Sequence, residues 1–141
     1  MYKYQISRVL EVFDGSSFEA VINLGMGVYL KKVICLSGIM SPDPKSTDRE
    51  TKFYAYNAMN KLRHYIKDDL VGKLYIEVND YHDDYVWGDI YTEQFDHSIN
   101  KQMYLMGYVW DNGIDLSKEE LSKIRELFVL STPPEKYMGL L

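Results

Sequence analysis

Cys35-Leu-Ser-Gly-Ile-Met-Ser-Pro-Asp43 joins an apolar segment to a polar turn, and the remaining elements can be placed around it. The apolar residues from Val28 to Leu36 predict a strand. Gly38 interrupts that strand, and Pro42 predicts a loop because proline cannot donate a hydrogen bond to a strand ladder. The chain therefore leaves an apolar strand through a turn that carries serine, methionine and aspartate side chains.

Two further strands are predicted before this stretch. Tyr4 to Phe13 and Phe18 to Leu24 both alternate apolar and polar residues. The Asp14-Gly15 pair between them is typical of a hairpin turn, and Gly25-Met26-Gly27 predicts a second turn before the strand that begins at Val28. Three strands joined by hairpins predict a curled antiparallel sheet, which is the beginning of a small barrel.

A helix is predicted after the loop at Pro42. Thr47-Asp-Arg-Glu50 matches a capping box, so we expect the helix to begin there and to end near Asp68-Asp69. Four apolar residues recur at helical spacing and predict one buried stripe, namely Ala55, Met59, Leu62 and Ile66.

Two more strands and a short helix follow. Lys73 to Asn79 and Tyr85 to Tyr91 alternate strictly, with a polar hairpin tip between them at residues 80–84. Asp96 or Ser98 can cap the short helix. Its predicted inward residues are Ile99, Met103 and Met106, and Gly107 is predicted to end the helix.

A last helix is predicted near the C-terminus. Ser117-x-x-Glu120 is a second capping box, and Pro133-Pro134 would end the helix. Its predicted inward residues are Leu121, Ile124 and Phe128. The predicted order is strand-strand-strand-helix-strand-strand-helix-helix, in a single domain of residues 1–141 with a C-terminal tail at 131–141.

Composition narrows the class of protein. The chain has 141 residues, 46% of them hydrophobic and 26% charged, which is typical of one globular domain. A net charge of -5 lowers the attraction for a nucleic-acid backbone, and the single cysteine cannot form an internal disulfide. No segment has the length and composition of a membrane span or the layout of a signal peptide. We therefore expect a cytoplasmic protein, in the host cytoplasm or a virion if a phage encodes it.

The order of elements and several short matches resemble the thermonuclease (staphylococcal nuclease-like) family. The matches are Asp14-Gly15 for the family's Asp-Gly-Asp-Thr, Gly38-Ile39-x-x-Pro42-Asp43 for Gly-Ile-Asp-x-Pro-Glu, Asp84-Tyr85 for Lys-Tyr-x-Arg, and Ile99-Asn100…Gly107 for Val-Asn…Gly. The resemblance as a whole covers roughly residues 4–130. The resemblance implies an α+β, mainly β fold, a five-stranded OB-fold barrel with about three helices.

The resemblance also implies where a nuclease site would lie. In the family, two arginines grip the phosphate, two aspartates bind calcium and a glutamate stands by the attacking water. Here the arginine positions hold Cys35 and Trp87, the aspartate positions hold Ser16 and Met40, and the glutamate position holds Asp43. A thioether is not a calcium ligand, and neither thiol nor indole can grip two phosphate oxygens as a guanidinium does. We therefore expect no catalysis and no cofactor.

Two other functions stay open at this stage. Asp14 and Asp43 could hold a displaced calcium ion in a divergent nuclease, although Asp14 also suits a turn and Asp43 a plain loop carboxylate. Alternatively, the 13 tyrosines could stack on the bases of a single-stranded nucleic acid. Both alternatives conflict with the seven acidic residues between Glu77 and His97, a span that holds no lysine or arginine.

A protein partner or self-assembly is the expected mode of action. The former phosphate pocket would be lined by Cys35, Met40, Tyr85 and Trp87, whose side chains suit an apolar group of a partner. The sequence thus predicts an inactive thermonuclease-like module that binds protein and not membrane. Its compact size and altered site would suit a phage or mobile-element assembly.

Overall fold

A computed structural model of the chain describes residues 2–67 and 73–111. Its barrel strands are β1 (Tyr2–Asp14), β2 (Ser17–Gly25), β3 (Val28–Leu36), β5 (Tyr75–His82) and β6 (Tyr85–Tyr91). The helices are α1 (Arg49–Tyr65) and α2 (Ile99–Leu105). Two short strands, β4 (Ile39–Met40) and β7 (Trp110–Asp111), form a separate antiparallel pair that the sequence did not predict.

Five strands close into a barrel in the order β1-β2-β3-β6-β5. All neighbouring strands are antiparallel except β3 and β6, which pair in parallel from Val33 to Leu36 against Tyr85 to Gly88. The predicted mainly β class with a five-stranded barrel is therefore confirmed, and the barrel is consistent with an OB-fold. Two of the roughly three expected helices lie in the described residues, whereas the predicted helix at Ser117 and the 131–141 tail lie outside them.

The core lies inside the barrel because the strands alternate as the sequence predicted. Phe18, Ala20 and Ile22 of β2 point inward with Ile34 of β3 and Ile90 of β6, and all are buried. The predicted stripe of α1 is also confirmed, since its four residues Ala55, Met59, Leu62 and Ile66 are buried. Most of this stripe packs into the same hydrophobic core as the strands.

The turn between β1 and β2 lies unusually close to α1. A Cβ atom built on Gly15 would lie 2.5 Å from the Ala58 Cβ and 3.1 Å from the Ser41 Cβ. Glycine at this position and alanine on the helix therefore permit the contact. The close approach fixes the turn that carries Asp14 and Ser16 against α1.

Three sequence predictions at element boundaries were wrong. The cap of α1 is Asp48 and not Thr47, because the Asp48 carboxylate accepts hydrogen bonds from the Thr51 N–H and hydroxyl. α1 ends at Tyr65, before the expected Asp68-Asp69, which lie outside the described residues. The fourth barrel strand runs from Tyr75 to His82 and not from Lys73 to Asn79, since the hairpin turns only at Asp83, with φ 50°.

The predictions for α2 were correct at its ends and partly wrong on its face. Ser98 is the N-cap and accepts a hydrogen bond from the Lys101 N–H at 3.1 Å. Ile99 and Met103 are buried as expected, but Met106 is 47% exposed because it follows the last helical turn. Gly107 has φ 83°, in agreement with its predicted place at the end of the helix.

Asn100 of α2 ties the helix to the junction between β3 and β6. Its side chain is fully buried, and its Oδ1 accepts a hydrogen bond from the Ile90 N–H at 3.0 Å. Its Nδ2 donates to the carbonyl oxygens of Ser37 at 2.8 Å and Gly88 at 3.1 Å. One amide side chain thus contacts three backbone groups at the end of the parallel strand pair, where the Gly88 carbonyl oxygen also accepts from the Ser37 N–H at 2.9 Å.

We expect Asn100→Ala to lower the free energy of unfolding by about 3 kcal/mol or more, because each buried polar group left unpaired costs about 1–3 kcal/mol. Urea denaturation followed by circular dichroism measures the change. Asn60→Ala, at an exposed position of α1, is the control and should change stability by less than about 0.5 kcal/mol. A loss of unfolding free energy below about 1 kcal/mol in Asn100→Ala would show that the hydrogen bonds of the Asn100 side chain are not needed for stability.

Candidate functional site

One cleft brings together every position carried over from the nuclease resemblance. It has a volume of about 460 Å³ and lies where the β1–β2 turn, the end of β3, β4 and β6 meet. The carried-over residues that line it are Ser16, Cys35, Met40, Asp43 and Trp87, together with Asp14. Tyr85, the remaining residue predicted for the pocket, does not line the cleft.

The polar wall of the cleft is a hydrogen-bonded turn. Oδ1 of Asp14 accepts hydrogen bonds from the Ser16 N–H at 2.8 Å, the Ser16 hydroxyl at 3.1 Å and the Ser17 hydroxyl at 2.9 Å. The Ser16 hydroxyl also lies 3.2 Å from the Ser41 hydroxyl across the cleft. Asp14 therefore acts as the organising acceptor of its own turn, as expected for an aspartate before glycine.

Asp43 lies at the rim and also supports its own loop. It is exposed, and its Oδ1 accepts a hydrogen bond from the Lys45 N–H at 2.9 Å. Among residues 2–67 and 73–111, no group of three or more His, Cys, Asp or Glu side chains is arranged to hold a metal ion. The carboxylates of the cleft thus each accept a backbone N–H of the turn to which they belong.

The apolar wall of the cleft consists of Cys35, Met40 and Trp87. Cys35 and Trp87 are direct partners in the parallel pair of β3 and β6, so their side chains lie on the same outer face of the barrel. Met40 is half-buried and packs against Trp110, which also contacts Tyr54. Thiol, thioether and indole groups therefore line the same cleft as the serine hydroxyls.

Tyr85 extends this surface away from the cleft. Its ring stacks on that of Trp87, with 5.9 Å between the centroids and 29° between the planes. Tyr85 is 47% exposed, whereas Trp87 is half-buried. The pair forms an aromatic ledge on the outside of the barrel, next to the cleft.

Burial and charge make Cys35 a poor nucleophile. Burial, and secondly the negative charge of Asp14, raise the pKa of the Cys35 thiol to about 11. The group is therefore protonated at neutral pH, and the nucleophilic thiolate is scarce. This agrees with the sequence-based interpretation of Cys35 as a pocket-lining residue.

The rim contains polar residues that the sequence did not identify. Nδ2 of Asn79 donates hydrogen bonds to the Ser37 hydroxyl at 2.9 Å and to the Asp89 carboxylate at 3.3 Å. A register shift in β5 between Val78 and Asp80 surrounds Asn79, and alternation alone cannot predict such a shift. Ser41 was also missed, because its contact with Ser16 joins residues that are 25 positions apart.

The acidic hairpin lies beside the aromatic ledge. Asp80, Asp83 and Asp84 at the end of the β5–β6 hairpin are exposed. The His82 Nε2 lies 3.3 Å from the Asp83 carboxylate, and both side chains are highly exposed, so this contact adds little to stability. The Lys32 ammonium donates to the Asp83 carbonyl oxygen at 2.5 Å, which ties β3 to this turn.

Comparison with protein-family models and with curated proteins finds no match to this sequence. The relation to thermonucleases therefore stays a prediction from the short motifs. Neither described helix is long and apolar enough to cross a membrane.

The raised pKa predicts slow alkylation of Cys35. At pH 8 a thiol with pKa about 11 is roughly one part in a thousand thiolate, so iodoacetamide should react on the order of 100-fold more slowly than in the urea-unfolded chain. Between pH 9 and 11 the folded state should lose stability, because the unfolded thiol deprotonates first. The pH dependence of the alkylation rate gives the pKa.

Asp14→Asn separates the two causes of this shift. Asparagine keeps a side-chain oxygen that can accept the same turn hydrogen bonds, so the pKa should fall but stay above its ordinary value because burial is the larger cause. Asp43→Asn is the matched control and should leave the pKa unchanged. A folded pKa near 8.5 in the wild-type protein would contradict this account of Cys35.

Proposed function

We propose that this chain is a catalytically inactive thermonuclease-like domain that binds a protein partner through the cleft lined by Cys35, Met40 and Trp87. The observation that carries the proposal is the chemistry of that cleft. Soft apolar groups and neutral hydroxyls stand where phosphodiester hydrolysis needs guanidinium groups and calcium ligands. The scaffold is retained, and the new lining suits an apolar side chain.

The absence of catalysis follows from electrostatics. Removing one preorganised charge-stabilising group usually slows a reaction about 100- to 1,000-fold, and four such positions are replaced here by Ser16, Cys35, Met40 and Trp87. The remaining carboxylate, Asp43, accepts a hydrogen bond in its own loop. No cofactor is part of the proposal, and calcium would enter only if the protein were a divergent nuclease.

The surroundings of the cleft favour protein over nucleic acid. Tryptophan and tyrosine are the usual energetic centres of protein interfaces, and Trp87 and Tyr85 are adjacent here. Asn79 and Ser37 add hydrogen-bonding groups at the rim. The nearby carboxylates of Asp89 and of the β5–β6 tip would repel a phosphate backbone, whereas they would attract basic residues around an apolar anchor.

One observation favours a second candidate, a single-stranded nucleic-acid binder. The stacked pair of Tyr85 and Trp87 presents an aromatic surface on which a base could stack, and such stacking tolerates any sequence. The acidic hairpin beside it opposes this function. The strong dependence of phosphate contacts on salt distinguishes the two candidates.

A combined cleavage and binding assay tests the proposal. Labelled single-stranded DNA and RNA are incubated with the protein, with and without calcium, and are scored for cleavage and for fluorescence anisotropy. We expect neither signal. Calcium-dependent cleavage that Asp43→Ala abolishes would establish a divergent nuclease, and salt-sensitive binding without cleavage would establish the nucleic-acid module.

A photoreactive amino acid at Met40 identifies the partner directly. Covalent capture of one protein from this position, and not from the exposed Tyr56 on α1, is the expected result in the native host. Trp87→Ala should then weaken binding of the captured protein at least tenfold, because it removes the largest apolar contact of the cleft. Tyr56→Ala should change the affinity less than twofold. Full affinity in Trp87→Ala would exclude the cleft as the binding site.

A further inference from the structure

The N-terminal half of β3 has a strand on only one side. β2 pairs with β3 along its whole length, from Val28 to Cys35. On the opposite side, β6 pairs with β3 only from Val33 onward. Within the described part of the chain, residues 28–32 therefore form an open edge of the barrel sheet.

The backbone groups that face this open edge can be identified from the ladder. The Val33 N–H donates to the Asp84 carbonyl oxygen and the Ser37 N–H to that of Gly88, so odd-numbered residues of β3 face β6. The Leu36 N–H donates to Ser16 on the β2 side, as expected for even-numbered residues. Tyr29 and Lys31 consequently direct their N–H and C=O groups out of the edge.

The open edge and its hairpin are also the most concentrated apolar surface of the described residues. Five of the thirteen exposed large hydrophobic side chains fall within seven positions, namely Leu24, Met26, Val28, Tyr29 and Leu30. Exposed apolar edges attract further strands, and proteins usually protect them with charges, proline or a covering segment. Here the first charges are Lys31 and Lys32, and the Lys32 ammonium is engaged by the Asp83 carbonyl oxygen.

We propose that this edge pairs antiparallel with the same edge of a second copy of the chain and forms a symmetric dimer. The two-fold axis passes between the two Leu30 residues. Tyr29 of each copy then lies opposite Lys31 of the other, which forms four backbone hydrogen bonds between the groups that face the edge. This register places no like charges opposite each other, and it brings the Lys31 ammonium of each copy next to the Tyr29 ring of the other.

The length of the edge favours a second copy over an unrelated strand. In this register Val28 of one copy lies opposite Lys32 of the other, and the next residue, Gly27, already belongs to a turn. Gly25, Met26 and Gly27 all have positive φ values, so the edge ends at this hairpin on one side. On the other side it ends where β6 begins to pair with Val33. The open edge is therefore five residues long, and the same five residues of a second copy pair with it over its full length.

Pairing would also cover part of a second cavity. The open end of the barrel contains a mainly apolar cavity of about 500 Å³ whose lining includes Leu24, Leu30, Tyr4 and Tyr81. Leu30 belongs both to the open edge and to the lining of this cavity. Dimerisation therefore brings the Leu30 residues of the two copies together, each at the rim of its own cavity. The edge is separate from the functional cleft, since Leu30 and Cys35 lie about 16 Å apart along β3.

Disulfide trapping tests the register. Leu30→Cys in a Cys35→Ser background should form a covalent dimer under mild oxidation, because the Cα atoms of a non-hydrogen-bonded antiparallel pair are about 4.5 Å apart. Leu10→Cys in the same background is the matched control, since Leu10 is 39% exposed and Leu30 is 41% exposed. Cross-linking at position 30 and not at 10 supports the proposal, whereas equal or absent cross-linking overturns it.

Sedimentation equilibrium of the full chain tests the affinity. We expect the wild-type protein to be dimeric at concentrations of about 100 μM and Leu30→Asp to weaken the dimer at least tenfold, because two carboxylates would meet at the axis. Leu10→Asp should remain dimeric. A wild-type protein that stays monomeric at 100 μM overturns the proposal. This outcome includes the case in which a different protein, and not a second copy, pairs with the edge. Trp87→Ala should leave the dimer intact, so failure here and failure of the cleft proposal are distinguishable.

Discussion

The parallel pairing of β3 with β6 is the constraint on which the other features depend. It closes the barrel with four residue pairs and aligns Cys35 beside Trp87, which creates the apolar wall of the cleft. It also requires help from outside the ladder, since Asn100 pairs the backbone groups of Ser37, Gly88 and Ile90. Because β3 is longer than the segment that pairs with β6, the same closure leaves residues 28–32 without a described strand on the β6 side. One short strand pair therefore sets the cleft, the position of α2 and the open edge.

The cleft keeps its shape through contacts that need no bound group. Asp14 needs only a carboxylate and nearby N–H and hydroxyl groups to organise its turn, and none of these interactions requires a metal or a phosphate. Ser16, one of the positions carried over from the nuclease resemblance, takes part in these hydrogen bonds through both its N–H and its hydroxyl. The chemistry of the lining side chains therefore decides what the cleft attracts, while the turn, strand pair and loop around it keep their own stabilising contacts.

Periodicity predicted most of the fold because it depends on burial. Alternation located β2 and β6, and an apolar run located β3, almost to the residue, and spacing identified the buried stripe of α1. It failed where local hydrogen bonding decides between neighbouring residues, as at Asp48 and Thr47. It also extended the face of α2 to Met106, beyond the last turn of the helix. The short strands β4 and β7 carry two residues each, too few for any pattern to appear.

The candidate site was predictable only as a set of positions. Motif order brought Ser16, Cys35, Met40, Asp43 and Trp87 together, and all five line one cleft. The partners Ser41 and Asn79 come from distant segments and from an irregular strand register, so spacing gives no signal for them. Tyr85 was expected in the pocket because it neighbours Trp87. It lies two residues before Trp87 on the same outer face of β6, beyond the cleft.

The contact of Gly15 with Ala58 has a consequence for how this protein can diverge. No side chain fits between the β1–β2 turn and α1, so the two positions must stay small together while most of the surface is free to vary. Such a pair changes only through compensated substitutions, and a larger residue on the helix would have to be matched by a displaced turn. A distant relative whose sequence has otherwise drifted beyond recognition should still carry an Asp-Gly turn and a small helical residue about forty positions later.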